Sequence, residues 1–151
     1  MSNASQQDLI YMQTAEAFAQ LSKARRKKVG AILVTNQGVV IPGVNGTPSG
    51  TSNICEDTVK VFEEDQDGAY LTYKIVTKPT TLHAELNCIL KCAKEGVSCL
   101  DAVLYTTLSP CLSCSAMLKQ AGIKKVSYRE LYRDESGVQY LISNGVIVER
   151  I

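Results

Sequence analysis

The sequence carries no large excess of charge of either sign. Sixteen lysine and arginine residues oppose fifteen aspartate and glutamate residues, which leaves a formal net charge of +1. Broad nucleic-acid binding usually needs a clear basic excess, so we expect no nucleic-acid partner. No apolar run reaches the roughly 20 residues that span a membrane, and the polar start Met1–Gln7 lacks the basic and apolar regions of a signal peptide. We therefore expect a cytoplasmic protein with no membrane partner.

Internal repeats and low-complexity tracts are also missing from the sequence. With 151 residues, 45% of them hydrophobic, the chain can bury a core and is too apolar to be disordered. We predict a single domain over residues 1–151 with an insertion at about 46–80. Residues 51–80 show no clear period, and we interpret their acidic run 63–68 as a solvated loop because it lacks the spacing of a calcium loop.

Histidine occurs once, as His83, and Glu85 follows two positions later. Farther along, Pro110 directly precedes Cys111, and Cys114 follows at i+3. Proline suits the first turn of a helix, so we expect Pro110 there, with both thiols on one helical face. One imidazole and two thiolates are typical ligands of tetrahedral zinc, and three protein ligands leave an open position for water, as in catalytic sites.

Each motif alone has a simpler interpretation. A single C-x-x-C pair is more often half of a structural zinc site or a redox pair, and a lone histidine is usually a hydrogen-bonded polar residue. Taken together and in this order, H-x-E followed by P-C-x-x-C resembles the signature of zinc nucleobase deaminases. Of the other cysteines, we expect Cys88 and Cys92 to be small core residues, while Cys55 and Cys99 have no assigned role.

The hydrophobic pattern predicts alternating strands and helices. Ser5 can cap a helix to about Leu21, and Val29–Thr35 reads as a buried strand that a turn at 36–38 joins to a hairpin partner at 39–41. The apolar stripe expected on the first helix consists of Ile10, Thr14, Ala17, Phe18 and Leu21, and that of the helix after His83 consists of Leu86, Ile89, Leu90 and Ala93. The later elements are predicted as helix His83–Glu95, strand Ala102–Thr106, helix Cys111–Gln120, strand Lys125–Tyr128, helix Gly137–Ser143 and strand Val146–Glu149. This alternation favours parallel pairing with crossover helices.

Two segments allow more than one interpretation. The basic run 25–28 is either a solvated helix end or a source of anion-binding groups. The loop 42–50, rich in glycine and proline, is either an ordinary surface turn or a shaped loop whose backbone N–H groups approach phosphate.

Beyond the zinc motifs, the segments 28–32, 43–50 and 107–111 resemble the deoxycytidylate (dCMP) deaminase family of bacteriophage type, within the cytidine deaminase-like superfamily. The resemblance implies an α/β fold, a three-layer α/β/α sandwich around a five-stranded mixed sheet. It implies hydrolytic deamination of dCMP to dUMP and ammonia with one catalytic Zn²⁺ per subunit, feeding thymidylate synthesis. It also implies a homo-oligomer, often a hexamer, activated by dCTP with Mg²⁺ and inhibited by dTTP, in the host cytoplasm if the gene is a phage gene.

Carried over by position, the resemblance assigns roles to individual residues. The zinc ligands are His83, Cys111 and Cys114, and the proton shuttle is Glu85. The implied substrate contacts are Arg26, Asn45, Tyr132 and Arg133, and the implied regulatory positions are Gly43, Asn45, Gly46 and Asp57. A solvated helix end for Arg26 and a packing aromatic for Tyr132 remain open.

Several positions separate this chain from related classes. Val44 stands where the family often has tyrosine, and with one histidine a second, histidine-based structural zinc is excluded. Deaminases of the tRNA-adenosine type typically carry Glu before the proline and Gly-Ala after the second cysteine, where this chain has Ser109 and Ser115-Ala116. Free-nucleoside deaminases usually have cysteine in place of His83. A zinc-stabilised binding module remains the non-enzymatic alternative, although it has no use for Glu85.

Overall fold

Four helices and seven strands follow one another along residues 4–151, which the computed structural model describes. In chain order they are α1 Gln6–Ala19, β1 Gly30–Val34, β2 Val40–Val44, β3 Glu56–Asp65, β4 Gly68–Thr77, α2 Ala84–Glu95, β5 Val103–Leu108, α3 Leu112–Gln120, β6 Lys125–Glu130, α4 Ser136–Ser143 and β7 Ile147–Arg150. Residues 1–3 of the polar N-terminal stretch lie outside the described residues. None of the helices within 4–151 is long and apolar enough to cross a membrane.

The five-stranded sheet has the order β2-β1-β5-β6-β7. Strand β1 runs antiparallel to both β2 and β5, whereas β5, β6 and β7 pair in parallel. Parallel neighbours need crossover connections, and α3 and α4 supply them. The mixed sheet and the parallel pairing predicted for the second half of the chain are therefore confirmed.

Helices cover both faces of this sheet and give the predicted three layers. Helix α1 packs on one face, where Met12 and Ala15 meet Ile32 and Tyr105. The other face carries a larger core formed with the remaining three helices. Its fully buried members include Ala31, Leu33, Ala84, Cys88, Leu104, Leu118, Val126 and Leu141.

Helix α1 begins where the sequence predicts, but a different stripe is buried. Ser5 forms a capping box with Asp8, whose backbone N–H donates to Ser5 Oγ at 3.1 Å. The prediction of a stripe through Ile10 and Leu21 is wrong, because these side chains are 52% and 64% exposed while Met12, Ala15 and Ala19 face the sheet. A Cβ on Gly30 would lie 2.1 Å from the Ala15 carbonyl oxygen. The helix therefore approaches β1 too closely for large side chains at the contact.

Helix α2 also buries a face other than the predicted apolar stripe, because it lies close to a glycine of the sheet. Its buried face consists of Ala84, Glu85, Cys88 and Cys92, whereas Leu90 of the predicted stripe is 44% exposed. Gly43 in β2 allows the close approach, since a Cβ there would lie 2.6 Å from Cys88 Sγ. The prediction that Cys88 and Cys92 are small core residues is confirmed, and burial raises the pKa of both thiols, that of Cys92 to about 12. Gly96 ends the helix with φ 68°, as predicted.

Residues 56–77 form a hairpin, although residues 51–80 show no clear period in the sequence. Strands β3 and β4 pair antiparallel through ten residue pairs from Glu56↔Thr77 to Asp65↔Gly68. Both faces of the hairpin are largely exposed, so burial imposed no clear alternation on the sequence. The Asp67-Gly68 dipeptide was the available hairpin signal, and the solvated loop predicted over 63–68 reduces to a tight turn.

Two boundary predictions also need correction. Strand β2 continues through Pro42, Gly43 and Val44, which belong to the predicted loop 42–50. An edge strand tolerates proline because its outward N–H has no ladder partner, and β2 is an edge. Pro110 lies just before the N-cap Cys111 of α3 rather than inside the first turn.

Candidate active site

Three metal-binding side chains meet where two helices begin. His83 is the N-cap of α2, Cys111 is the N-cap of α3, and Cys114 lies in the first turn of α3. His83 Nδ1 lies 3.6 Å from Cys111 Sγ and 3.3 Å from Cys114 Sγ. The ligand atoms of all three residues lie within 4.8 Å of one another. Strand β5 ends just before Cys111, so the cluster occupies the carboxyl edge of the parallel strands, where α/β sheets place their ligands.

This geometry fits a zinc ion. In a tetrahedral site with usual zinc–sulfur and zinc–nitrogen bond lengths, a sulfur and a nitrogen ligand are separated by about 3.6 Å. The two observed Nδ1–Sγ distances, 3.6 and 3.3 Å, match that separation. The soft donor set also suits zinc better than magnesium or calcium, which prefer oxygen ligands. His83, Cys111 and Cys114 can therefore hold zinc and leave one coordination position open.

The thiols differ in their affinity for a proton. Hydrogen bonds with Cys114 and His83 lower the pKa of the Cys111 thiol to about 4. The hydrogen bond with Cys111, together with burial, raises the pKa of Cys114. The hydrogen bond with Cys111 also raises the pKa of His83. The lowered pKa of Cys111 favours the thiolate, which is the form of cysteine that binds a metal.

Glu85 lies beside this cluster but is not one of its three members. It follows His83 by two residues in the first turn of α2, and its side chain is buried. Burial raises the pKa of Glu85 to about 7, although its own backbone N–H and the His83 charge favour the ionised form. A carboxyl group whose pKa lies near neutrality can both accept and release a proton during a reaction.

A cleft of about 270 Å³ opens above the cluster. All four predicted substrate contacts line it together with His83, Glu85 and Cys111; these four are Arg26, Asn45, Tyr132 and Arg133. The Arg133 guanidinium lies over the Tyr132 ring, 5.6 Å from its centre. The cleft therefore places a buried carboxyl group and metal ligands near basic side chains.

Asn45 organises the backbone beside the cleft. Its Oδ1 accepts hydrogen bonds from the Val29 backbone N–H at 2.8 Å and from Ser22 Oγ at 2.7 Å. Its Nδ2 donates to the Lys27 carbonyl oxygen at 2.8 Å. One Nδ2 hydrogen remains for a further partner. The amide thus connects the segment before β1 to the loop after β2.

A second cavity of about 740 Å³ lies on the other side of this loop. Asn45 and Gly46, two of the predicted regulatory positions, line it along with the basic residues Lys23, Lys91 and Lys94. The other two predicted positions do not line it. Gly43 packs beneath α2. Asp57 lies on the hairpin, 3.5 Å from Lys78 Nζ.

Sequence reasoning missed several residues that line the cleft. Glu56 and Thr77 come from the two ends of the hairpin, and Lys27 lies next to Arg26. A two-residue turn at Asp67-Gly68 would have indicated a hairpin but would pair residue 56 with residue 79, whereas the observed turn at 66–67 pairs Glu56 with Thr77. Nothing local in the sequence indicates that this pair returns to the cleft.

Comparison with known proteins agrees with the geometry. The family described as "Cytidine and deoxycytidylate deaminase zinc-binding region" matches residues 5–130. The dCMP deaminase of the cyanophage S-TIM5, solved in complex with dCMP and dUMP, has 42% sequence identity and a TM-score of 0.81, covering 99% of this chain and 100% of that one. Deoxycytidylate deaminase of Mycobacterium phage D29 is 33% identical over 80% of this chain and 92% of its own length. That of Schizosaccharomyces pombe is 33% identical over 89% of this chain, which spans 40% of that relative. The chain therefore belongs to the cytidine and deoxycytidylate deaminase zinc-binding family.

Proposed function

We propose that this protein is a zinc-dependent dCMP deaminase that hydrolyses dCMP to dUMP and ammonia. The observation that carries the proposal is the 42% identity, over 99% of the chain, to a dCMP deaminase solved with substrate and product bound. The cleft supports it, because Arg26 and Arg133 offer guanidinium groups suited to a phosphate. The balanced charge supports a small substrate over a nucleic acid. The dUMP formed would feed thymidylate synthesis.

The chain's own residues perform the binding and proton-transfer steps. His83, Cys111 and Cys114 would hold the zinc, which supplies Lewis acidity that lowers the pKa of a coordinated water. In the reaction, water oxygen adds to C4 of cytosine, the bond from C4 to the exocyclic nitrogen breaks, and ammonia leaves. Glu85 accepts one proton from the water and donates it to N3, then accepts the second proton from the hydroxyl on C4 and delivers it to the departing amine. Its burial and its pKa near 7 suit this two-way role.

The second cavity is our proposed regulatory site for dCTP with Mg²⁺ as activator and dTTP as inhibitor. Lys23, Lys91 and Lys94 around it would attract a triphosphate. Asn45 borders both cavities and binds the backbone of Val29 and Lys27. A nucleotide that shifts the 43–50 loop would therefore move one wall of the cleft. We further propose a homo-oligomer, in keeping with large apolar side chains left exposed on this chain, such as Leu90 and Phe62 at 44% and 80%.

The direct test mixes zinc-loaded protein with dCMP and follows the loss of cytosine absorbance without effector, with dCTP and Mg²⁺, and with dTTP and Mg²⁺. Turnover that dCTP raises and dTTP lowers is the expected result. Zinc-loaded protein without turnover under any of these conditions would contradict the proposal and favour a nucleic-acid substrate or a binding module.

Glu85→Gln tests the proton shuttle. The amide keeps the shape of the side chain but cannot carry the proton, so we expect kcat to fall by roughly 10²- to 10⁴-fold or more. Zinc content should remain that of the wild type, because Glu85 is not among the metal-binding side chains. Glu64→Gln, an equivalent change at an exposed hairpin position, is the matched control and should leave turnover unchanged. Near-normal turnover in Glu85→Gln would defeat the assignment.

A further inference from the structure

The open end of the β3–β4 hairpin forms part of the cleft wall. The hairpin is not part of the five-stranded sheet. Its first and last residues, Glu56 and Thr77, are register partners. Both line the cleft that also contains His83 and Glu85. The ends of an otherwise exposed ribbon thus contribute to the site.

Glu56 holds the backbone of the segment before β1. Its carboxylate is buried, with 6% of the residue exposed. Glu56 Oε1 accepts hydrogen bonds from the backbone N–H groups of Arg25 at 2.7 Å and Arg26 at 3.1 Å. Hydrogen bonds to an ionised acceptor are among the stronger ones in proteins. Residues 25 and 26 lie outside any helix or strand, so this carboxylate supplies the support that a sheet ladder would otherwise give.

Thr77 holds the Arg26 side chain. Arg26 Nη1 donates a hydrogen bond to Thr77 Oγ1 at 3.2 Å. A guanidinium has five N–H donors, so most remain available to an anion in the cleft. Arg26 takes part in no ion pair among residues 4–151. Its charge is therefore not neutralised by a protein carboxylate.

The other two basic residues of the cleft have different supports. Lys27 Nζ forms an ion pair with Glu130 at 2.6 Å. Arg133 stacks on the Tyr132 ring. Of the three arginine and lysine residues that line the cleft, Arg26 is the one that donates hydrogen bonds to the hairpin.

We propose that the hairpin base belongs to the 5′-phosphate subsite, with Thr77 and Glu56 as positioning residues that aim the Arg26 guanidinium at the phosphate. The inference rests on the proposed function, since it presumes a nucleoside monophosphate substrate. An arginine held in place before binding loses less side-chain freedom when the phosphate arrives. The hairpin thereby contributes to selection of nucleotide over nucleoside.

Thr77→Val tests the inference, since valine has the shape of threonine without the acceptor. Thr77 is exposed, so the variant should fold. We expect KM for dCMP to rise by roughly tenfold, because the variant loses the charge-assisted hydrogen bond that holds the Arg26 guanidinium in place. The value of kcat should stay close to that of the wild type. Deoxycytidine, which has no phosphate, should be deaminated by the variant and the wild type with equal kcat/KM. Thr77→Ser keeps the hydroxyl and should restore the KM for dCMP.

Glu56→Gln is the second variant. It removes the charge but keeps one oxygen acceptor, and it should raise KM for dCMP in the same selective way. Thr72→Val, at a β4 position outside the cleft, controls for effects on the hairpin itself. Equal changes on dCMP and deoxycytidine would indicate a merely structural role and overturn the inference.

The outcomes separate this inference from the proposed function. A wild type that prefers dCMP over deoxycytidine, with a Thr77→Val variant that keeps the full preference, overturns the positioning role alone. A wild type that does not turn over dCMP overturns the proposed function, and the positioning role with it.

Discussion

Replacing Gly137 by alanine places one methyl group against the segment that holds Cys111. Gly137 is a buried residue in the first turn of α4. A Cβ at this position would lie 2.2 Å from the Pro110 carbonyl oxygen and 2.7 Å from the Cys111 carbonyl carbon. Ser115 Oγ would also lie at 2.7 Å. Two of these three atoms belong to the backbone, so a change of side-chain rotamer cannot relieve the contact.

The size of the effect follows from two opposing contributions. Ordinary van der Waals contact to a Cβ begins at 3.4 Å, so α4 and the Pro110 segment must separate by roughly 1 Å. Overpacking of this kind costs typically 1–3 kcal/mol. Alanine in place of a helical glycine gains up to about 1 kcal/mol of helix propensity. We expect the overpacking cost to exceed the gain in helix propensity, with a net loss of about 1–2 kcal/mol in the free energy of unfolding.

The same displacement should weaken zinc binding. Ligand distances in a metal site tolerate deviations of about 0.2 Å, and a shift of the Cys111 backbone by several times that amount disturbs the site. Because disturbing the groups that orient a ligand typically costs 10- to 100-fold in metal affinity, we expect a loss in that range for Gly137→Ala.

Urea denaturation and competition with a zinc chelator measure the two effects. Gly46→Ala is the control, because a Cβ at Gly46 would meet no atom within 4 Å, and it should leave both quantities close to the wild type. If Gly137→Ala were as stable as the wild type and bound zinc equally well, the close approach of α4 to the Pro110 segment would not constrain the site, and the reasoning would be wrong.

Two further predictions concern stability. Ser115 Oγ is buried without a hydrogen-bond partner among the described residues, so Ser115→Ala should raise the free energy of unfolding by about 1 kcal/mol; a destabilised variant in urea denaturation would contradict this. Burial acts to raise the pKa of Asp8, but hydrogen bonds from Ser5 and Tyr105 outweigh it and lower the pKa to about 2 from 3.8. Because the folded pKa is the lower one, about 2 kcal/mol of stability is present above pH 3.8 and is lost as the pH falls toward 2. Asp8→Asn should remove this pH dependence in denaturation curves recorded between pH 2 and 5, and an unchanged dependence would refute the assignment.

Exposed apolar side chains on the hairpin and on α2 indicate where further contacts would form. Phe62, Leu71, Tyr73 and Ile75 lie on one face of the hairpin, because their positions pair or alternate in the β3–β4 register, and all four are exposed. Within the described residues, the hairpin packs on no other helix or strand. This face of the hairpin and the exposed Leu90 of α2 are apolar surfaces at which subunits of the proposed oligomer could make contact.

Several features of the structure could be predicted because they depend on neighbouring residues. The N-cap Ser5 of α1, the C-terminal Gly96 of α2 and the strand–helix alternation after His83 are local signals, and the structure confirms them. The apolar stripes of α1 and α2 could not be predicted in the same way. Their buried faces are selected by Gly30 and Gly43 on the opposing strands, which are distant in the sequence, so helical periodicity alone favours the larger and wrong residues.

The sequence by itself identified the candidate metal ligands, because zinc needs particular donor atoms and His83, Cys111 and Cys114 are spaced as in a known signature. Local patterns likewise predicted the order of helices and strands outside the β3–β4 hairpin. Only the tertiary structure decided how the site is enclosed: the hydrogen bonds from Arg26 to Glu56 and Thr77 join residues 30 and 51 positions apart. Such contacts form when the chain closes long loops around a packed sheet, and no local periodicity encodes them.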